Sequence, residues 1–218
     1  YANLLISTGH IFEQLEKGDS IRELITKKFD IVLANPPYGI KGLQYDGFNY
    51  PLKLEYIPIK SKNAVSLFIQ AIIYMLNVNG RCAVVLPDGQ DLFNKTNISL
   101  ITVREYLMKT CDLHEIIYLP SGIFTNTGIK TCVFYFTKKR KGKDILQLKI
   151  TTSKTTQKET KREYQFVPEL QTQTVKFYDF NSETRAKELI VEVPIASIVA
   201  NSYSLNALSF DLLGEIKS

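Results

Sequence analysis

The chain has 218 residues, 44% of them hydrophobic and 22% charged, which suits one sizeable core plus an appendage. No apolar run approaches the ~20 residues of a membrane helix, and the opening Tyr1-Ala2-Asn3-Leu4-Leu5-Ile6 lacks the basic segment and cleavage site of a secretory signal. The net charge of +5 is concentrated, because Lys138 to Arg162 holds ten basic and two acidic residues, a local +8.

The start has no initiator Met and opens in mid-pattern, so the sequence reads as a fragment or excised domain. Phe29 to Ala34 is a short apolar run stopped by Asn-Pro-Pro, the pattern of a buried strand. Gly39 to Lys62 has no periodicity and reads as a long loop, a feature often tied to function. Asn63 caps a predicted helix with Ala64, Phe68, Ala71, Ile72, Met75 and Leu76 at helical spacing, ended by Gly80. Cys82 to Leu86 is the next strand, stopped by Pro87-Asp88-Gly89. A second helix spans roughly Ile98 to Lys109, with Leu100, Val103 and Leu107 on one face. His114 to Leu119 is a third strand, stopped by Pro120-Ser121-Gly122, and Thr131 to Phe136 a fourth.

Strand, helix, strand, helix, strand implies parallel strands with right-handed crossovers. The third and fourth strands lack a helix between them, so an antiparallel pair is expected there. The pattern predicts a doubly wound α/β sheet, mostly parallel, with one reversed strand. The segments after three strands then share the edge at which open α/β sheets bind ligands.

Past residue 145 the alternation in Leu146 to Ile150 and Val175 to Phe180 predicts further strands or a hairpin, with a short helix over Glu183 to Val191. The expected division is therefore a partial catalytic domain over 1–145 and a β-rich C-terminal extension over 146–218. Cys82, Cys111 and Cys132 form no paired motif and are expected to be buried free thiols in a reducing cytoplasm. His10 and His114 are expected to be structural.

The tetrapeptide Asn35-Pro36-Pro37-Tyr38 directly follows the first strand. An exocyclic base amine is a poor nucleophile because its lone pair is delocalised into the ring. Two acceptors aimed at its hydrogens would favour a tetrahedral nitrogen. The Asn35 side-chain oxygen and the Pro36 carbonyl can be those acceptors, on a backbone that two prolines hold extended. Tyr38 can stack on a base rotated out of the duplex. The structural alternative is a strand-ending Pro-Pro turn followed by an ordinary aromatic residue.

Phe29 to Tyr38, Gly80 to Gly89, Leu119 to Phe124, Thr127 to Cys132 and Asn201-Ser202-Tyr203-Ser204-Leu205-Asn206 together resemble the modification subunits of type I restriction-modification systems. These are adenine-specific DNA methyltransferases. The resemblance implies a truncated Rossmann-like methyltransferase fold, with S-adenosylmethionine as methyl donor, direct in-line transfer and no metal. It implies catalytic roles for Asn35, Pro36, Pro37 and Tyr38. It also implies an acceptor role for Asp19, 16 residues before Asn35, toward the cofactor adenine, and a second base-stacking role for Phe124. Asp19 is equally suited to cap a helix over Ile21 to Lys27, and Phe124 to pack in a core or loop. The implied partners are double-stranded DNA, a specificity subunit, a second modification subunit and a restriction subunit, in a bacterial or archaeal cytoplasm.

The chain departs from that family in containing no Gly-x-Gly, so the loop that cradles the cofactor's methionine end is missing and the fragment is expected to be inactive alone. The basic run at Lys138, Lys139, Arg140 and Lys141 is expected either to contact DNA phosphates near the cleft or to form a solvated hairpin. Two other functions suit the motif: methylation of protein glutamine amides, and a catalytically dead scaffold that binds DNA or other subunits.

Overall fold

A computed structural model of the protein describes residues 17–21, 23, 26–39, 56–59, 61–124, 128–152 and 159–217. The first strand, β1, spans Phe29–Ala34, and the helix α1 spans Ala64–Met75. Asn63 caps α1 as expected, its side chain accepting from the Ser66 amide. The strand β2, Leu76–Pro87, begins on the next residue. Gly80 therefore lies inside β2 and does not end the helix. Leu76 has already turned to extended backbone (φ −72°, ψ 138°), which lets its row pair with β1 from Phe29 onward.

A one-turn helix, α2 (Gln90–Phe93), and the longer α3 (Ile98–Thr110, capped by Asn97) lead into β3, Cys111–Tyr118. The strand β4, Thr131–Lys138, follows without an intervening helix. A hairpin of β5 (Leu146–Thr152) and β6 (Glu159–Phe166) forms a separate two-stranded sheet. Then come β7, Thr174–Asn181, and β8, Ala186–Pro194, and a short helix α4, Ile195–Ala200.

The main sheet has the order β1-β2-β4-β3-β7-β8. β1 pairs parallel with β2, and β7 parallel with β3. The expected reversed strand is β4, antiparallel to both β2 and β3, and it is inserted between them. β8 is a second reversed strand, paired with β7. It occupies most of the stretch expected to be a helix. Val191 and Val193 alternate into the core there, and pairing with β7 outweighs local helix preference. Thus β7 and β8 continue the sheet formed by residues 29–138, whereas the β5–β6 hairpin does not.

One face of the sheet packs on α1 and α3. Phe134 and Phe136 of β4, Val84 and Leu86 of β2, Ile116 of β3 and Phe177 of β7 meet Ile73 of α1 and Leu107 of α3 in a single core. The opposite face of α1 packs a smaller cluster of Ile21, Tyr56, Ile57, Ala64, Leu67 and Ala71. All three cysteines are free and buried. Among the described residues β1, expected to be buried, stands at the end of the sheet, with Ile31 59% and Leu33 79% exposed. Only Val32 and Ala34 lean on the core. The long loop expected over Gly39 to Lys62 falls mostly on residues outside those described, as does His10. His114 is structural: its Nε2 lies 2.8 Å from the Thr137 hydroxyl and its ring packs on Tyr135.

The C-terminal Asn201-Ser202-Tyr203 turn is locked by Arg104 of α3, only 2% exposed. Ser202 and Tyr203 adopt left-handed backbone (φ 56° and 55°), which presents their carbonyls inward. The Arg104 guanidinium donates to the carbonyls of Tyr203 (2.7 Å), Ser202 (3.3 Å), Asp91 (2.9 Å) and Asn94. Burial lowers its pKa to about 10, opposed by the Asp91 carboxylate, so it stays charged at neutral pH. Arg104→Met should leave four carbonyls without their donor and cost about 3–5 kcal/mol in urea unfolding. A loss below about 1 kcal/mol would mean that water satisfies those carbonyls and that the lock is dispensable.

Candidate active site

The parallel strands β1, β2, β3 and β7 all end at one edge. Asn35, Asp88, Leu119 and Asn181 follow or finish them there. Two backbone bonds close this edge across the reversed strand: the Asp88 amide donates to the Lys130 carbonyl (2.8 Å) and the Leu119 amide to Thr131 (2.9 Å).

Asn35 is exposed, Pro36 is buried, Pro37 is exposed and Tyr38 is half-buried. Burying Pro36 anchors the segment, while its ring fixes the backbone direction. The Tyr38 hydroxyl donates to Asn35 Oδ1 at 2.6 Å. That oxygen has a second lone pair, so the bond orients the amide and still leaves room for another donor. Burial raises the Tyr38 pKa, and the Cys132 thiol adds to the effect, so the phenol remains a neutral donor at working pH. Asn35 and Tyr38 thus lie together, and among the described residues neither side chain is bonded to backbone.

A groove of about 460 Å³ runs beside this segment, lined by Ala34, Asn35, Pro36, Phe68, Met75 and Ser20. Ser20 is brought there by its neighbour Ile21, which is 1% exposed in the cluster on α1, and by the Tyr56 hydroxyl, which donates to the Ser20 carbonyl. Asp19 is half-buried. Its Oδ1 accepts from the Ile21 amide (3.0 Å), and its carbonyl accepts from Glu23 (2.8 Å). This is a local turn, and the described residues of 21–27 form no helix. Phe124 is half-buried in the loop between β3 and β4, on the same edge as Asn35.

The basic run lies elsewhere. β4 starts at the Asn35 edge and is 8 residues long. Lys138, at its far end, is therefore roughly 23 Å away at the usual rise per residue. Lys138 is also buried, and its ammonium donates to the carbonyls of Ile73 and Leu76 at the end of α1, both at 2.7 Å. It cannot make the exposed phosphate contact near the cleft that was expected of it. Lys139 and Lys141 are exposed, and Arg140 is half-buried with Glu169 at 3.8 Å, all at that same far edge.

Sequence reasoning missed Gln70 and Asp88. The Gln70 side chain pairs twice with Ile59 (2.8 and 3.1 Å) and pins that residue to α1. Asp88 lines a cavity of about 410 Å³ with Lys130, Tyr118, Asp179 and Asn206. Its Oδ1 is buried with no hydrogen-bond partner among the described residues. The only sequence signal for it was an acid placed directly after a strand-ending proline.

The chain belongs to the N-6 DNA methylase family, whose profile matches residues 4–211. It is 38% identical over 152 residues to the methylase subunit of the Escherichia coli type I restriction enzyme EcoEI, covering 66% of this chain and 28% of that protein. It is 39% identical over 111 residues to the EcoKI methylase subunit of E. coli K12, covering 51% and 19%. In fold it is similar to the methyltransferase subunit of a Streptococcus thermophilus type I restriction-modification system, with a TM-score of 0.64 and 24% identity over 94% of this chain and 44% of that one. The chain thus spans about a quarter of the length of the relatives it matches.

Burial raises the Asp88 pKa above its ordinary value, partly offset by Lys130. A carboxyl with a raised folded pKa favours the fold while protonated and loses that contribution as pH rises through the folded pKa. Asp88→Asn should therefore raise the melting temperature at pH 7, with the gain shrinking toward zero below pH 4. A gain independent of pH would assign the effect to packing instead of charge.

Proposed function

We propose that this chain is the target-base half of an adenine-specific DNA methyltransferase, the modification subunit of a type I restriction-modification system. The observation that carries the reading is Asn35-Pro36-Pro37-Tyr38 at a sheet edge, with Asn35 exposed and oriented by Tyr38, in a chain of the N-6 DNA methylase family. Asn35 Oδ1 and the Pro36 carbonyl accept the hydrogens of the adenine amine and draw its nitrogen toward tetrahedral geometry. Tyr38 stacks on the rotated base and holds the Asn35 amide in place, with Phe124 as a second stacking surface.

S-adenosylmethionine, the methyl donor of such a reaction, carries an activated methyl group on its sulfonium. The residues of this chain suit only part of it. Ser20 lines the groove beside Asn35 and Asp19 is its neighbour in sequence, but the sequence contains no Gly-x-Gly to cradle a methionine end. Methylase subunits similar to this chain belong to type I restriction enzymes. The partners that follow are double-stranded DNA, a specificity subunit, a second modification subunit and a restriction subunit, in the cytoplasm of a bacterium or archaeon. Lys139, Arg140 and Lys141 are left as contacts for phosphates away from the reacting base.

In the whole protein Asn35→Ala should lower methyl transfer by at least about 10²-fold while sparing cofactor binding. Tyr38→Phe, which keeps the ring but loses the bond to Asn35, should cost less than Tyr38→Ala. Equal losses would remove stacking from the account, and an active Asn35→Ala would end the proposal. For the 218-residue chain alone, calorimetry should find no micromolar binding of S-adenosylmethionine.

A further inference from the structure

The cavity of about 410 Å³ that holds Asp88 shares the edge where the parallel strands end, yet neither Asn35 nor Tyr38 lines it. Asp88 follows β2, one strand over from Asn35, and Tyr118 ends β3, three strands over. With neighbouring strands about 4.8 Å apart, the walls stand roughly 5–15 Å across the edge from Asn35. Polar groups reach the cavity from Asp88, Lys130, Asp179 and Asn206, and Phe93, Tyr118 and Leu208 supply apolar surface.

Bonds already made within the walls fix what the cavity offers. The Asp88 amide donates to the Lys130 carbonyl (2.8 Å), which sets the backbone, and Asp88 Oδ1 is buried without a partner among the described residues. A buried acceptor in that state costs energy until an N–H reaches it. Asn206 Oδ1 is taken by the Leu208 amide (3.1 Å), so the remaining capacity of that side chain is chiefly its two N–H donors. The Tyr118 hydroxyl accepts from the Ala207 amide (3.1 Å) and donates to the Leu205 carbonyl (3.4 Å), which leaves the ring as its contribution. A phosphate would meet the carboxylates of Asp88 and Asp179. An ammonium or guanidinium carries donors only and would leave the Asn206 and Lys130 donors unanswered. A nucleobase answers both kinds of group, because its edge sets amine donors beside ring-nitrogen and carbonyl acceptors and its flat body suits aromatic walls.

We propose that this cavity holds a DNA base other than the target, whose exocyclic amine donates to Asp88, which rests on the reading of the chain as a DNA methyltransferase. Cytidine and uridine are the probes, since they differ in amine against carbonyl at one ring position and neither contains the target base. Titrated into the isotope-labelled chain and followed by amide chemical shifts, cytidine should saturably shift Asp88, Ser121 and Asn206. Uridine should bind at least about tenfold more weakly. In Asp88→Ala that preference should vanish, with amide shifts far from the cavity unchanged to show that the fold is kept. A single-stranded oligothymidine carrying one cytosine should displace cytidine, and plain oligothymidine should not. Equal binding of the two nucleosides, no saturable shift, or a preference that survives Asp88→Ala would overturn the site. Tighter binding of methylguanidine than of cytidine would also overturn it and give the cavity to a basic side chain. Failure of the cytosine oligonucleotide to displace cytidine would overturn DNA as the source of the base. Methyl transfer is read in none of these arms, so their outcome is separate from that of the Asn35→Ala assay.

Discussion

The antiparallel seat of β4 between β2 and β3 is the pairing on which the rest of this structure depends. Seven residue pairs join it to β2 and seven to β3, and Cys132, Phe134 and Phe136 point from it into the core. With β4 in the middle, β1 and β2 are held on one side and β3, β7 and β8 on the other. Because β4 is reversed, the loop that carries Phe124 enters it at the edge where the parallel strands end. Its own end delivers Lys138 to the opposite edge. One strand thus separates the proposed base-contacting side of the molecule from its lysine-rich side.

At the first of these edges, chain direction and proline stiffness do most of the positioning. Parallel strands terminate together, so the segments after them converge without long-range design. Pro36 is buried and fixes the backbone, and the Tyr38 hydroxyl fixes the Asn35 amide. The proposed chemistry at this edge asks little more of the protein than two acceptors at a set spacing and a flat ring beside them. The groove alongside is mostly apolar, with Phe68 and Met75 of α1 forming its wall.

Buried cations act as internal clamps in two places. Arg104 gathers carbonyls from α2 and the residue that ends it and from the left-handed turn at Ser202 and Tyr203. Lys138 gathers the carbonyls that end α1. Each satisfies backbone groups that burial would otherwise leave without partners, and each ties an element to one distant in sequence. The Asn201 to Asn206 segment therefore owes its position to an arginine almost 100 residues earlier.

The sequence by itself determined the local features. The Asn63 cap, the apolar spacing of α1 and α3, the β3–β4 pair without a helix, and the strand followed by Asn-Pro-Pro-Tyr are all decided by residues near one another. Tertiary structure decided what depends on neighbours. The apolar run of β1 reads as buried, and among the described residues it stands last in the strand order, where Ile31 and Leu33 are exposed. Residues 186–191 could locally form a helix, and pairing with β7 made them a strand. Lys138 belongs in sequence to a charged surface run, yet the alternation of β4 turns it inward beneath the end of α1. The convergence of Asp88 with Asp179 and Asn206 had no signature in the chain, because residues so far apart are brought together only by strand order.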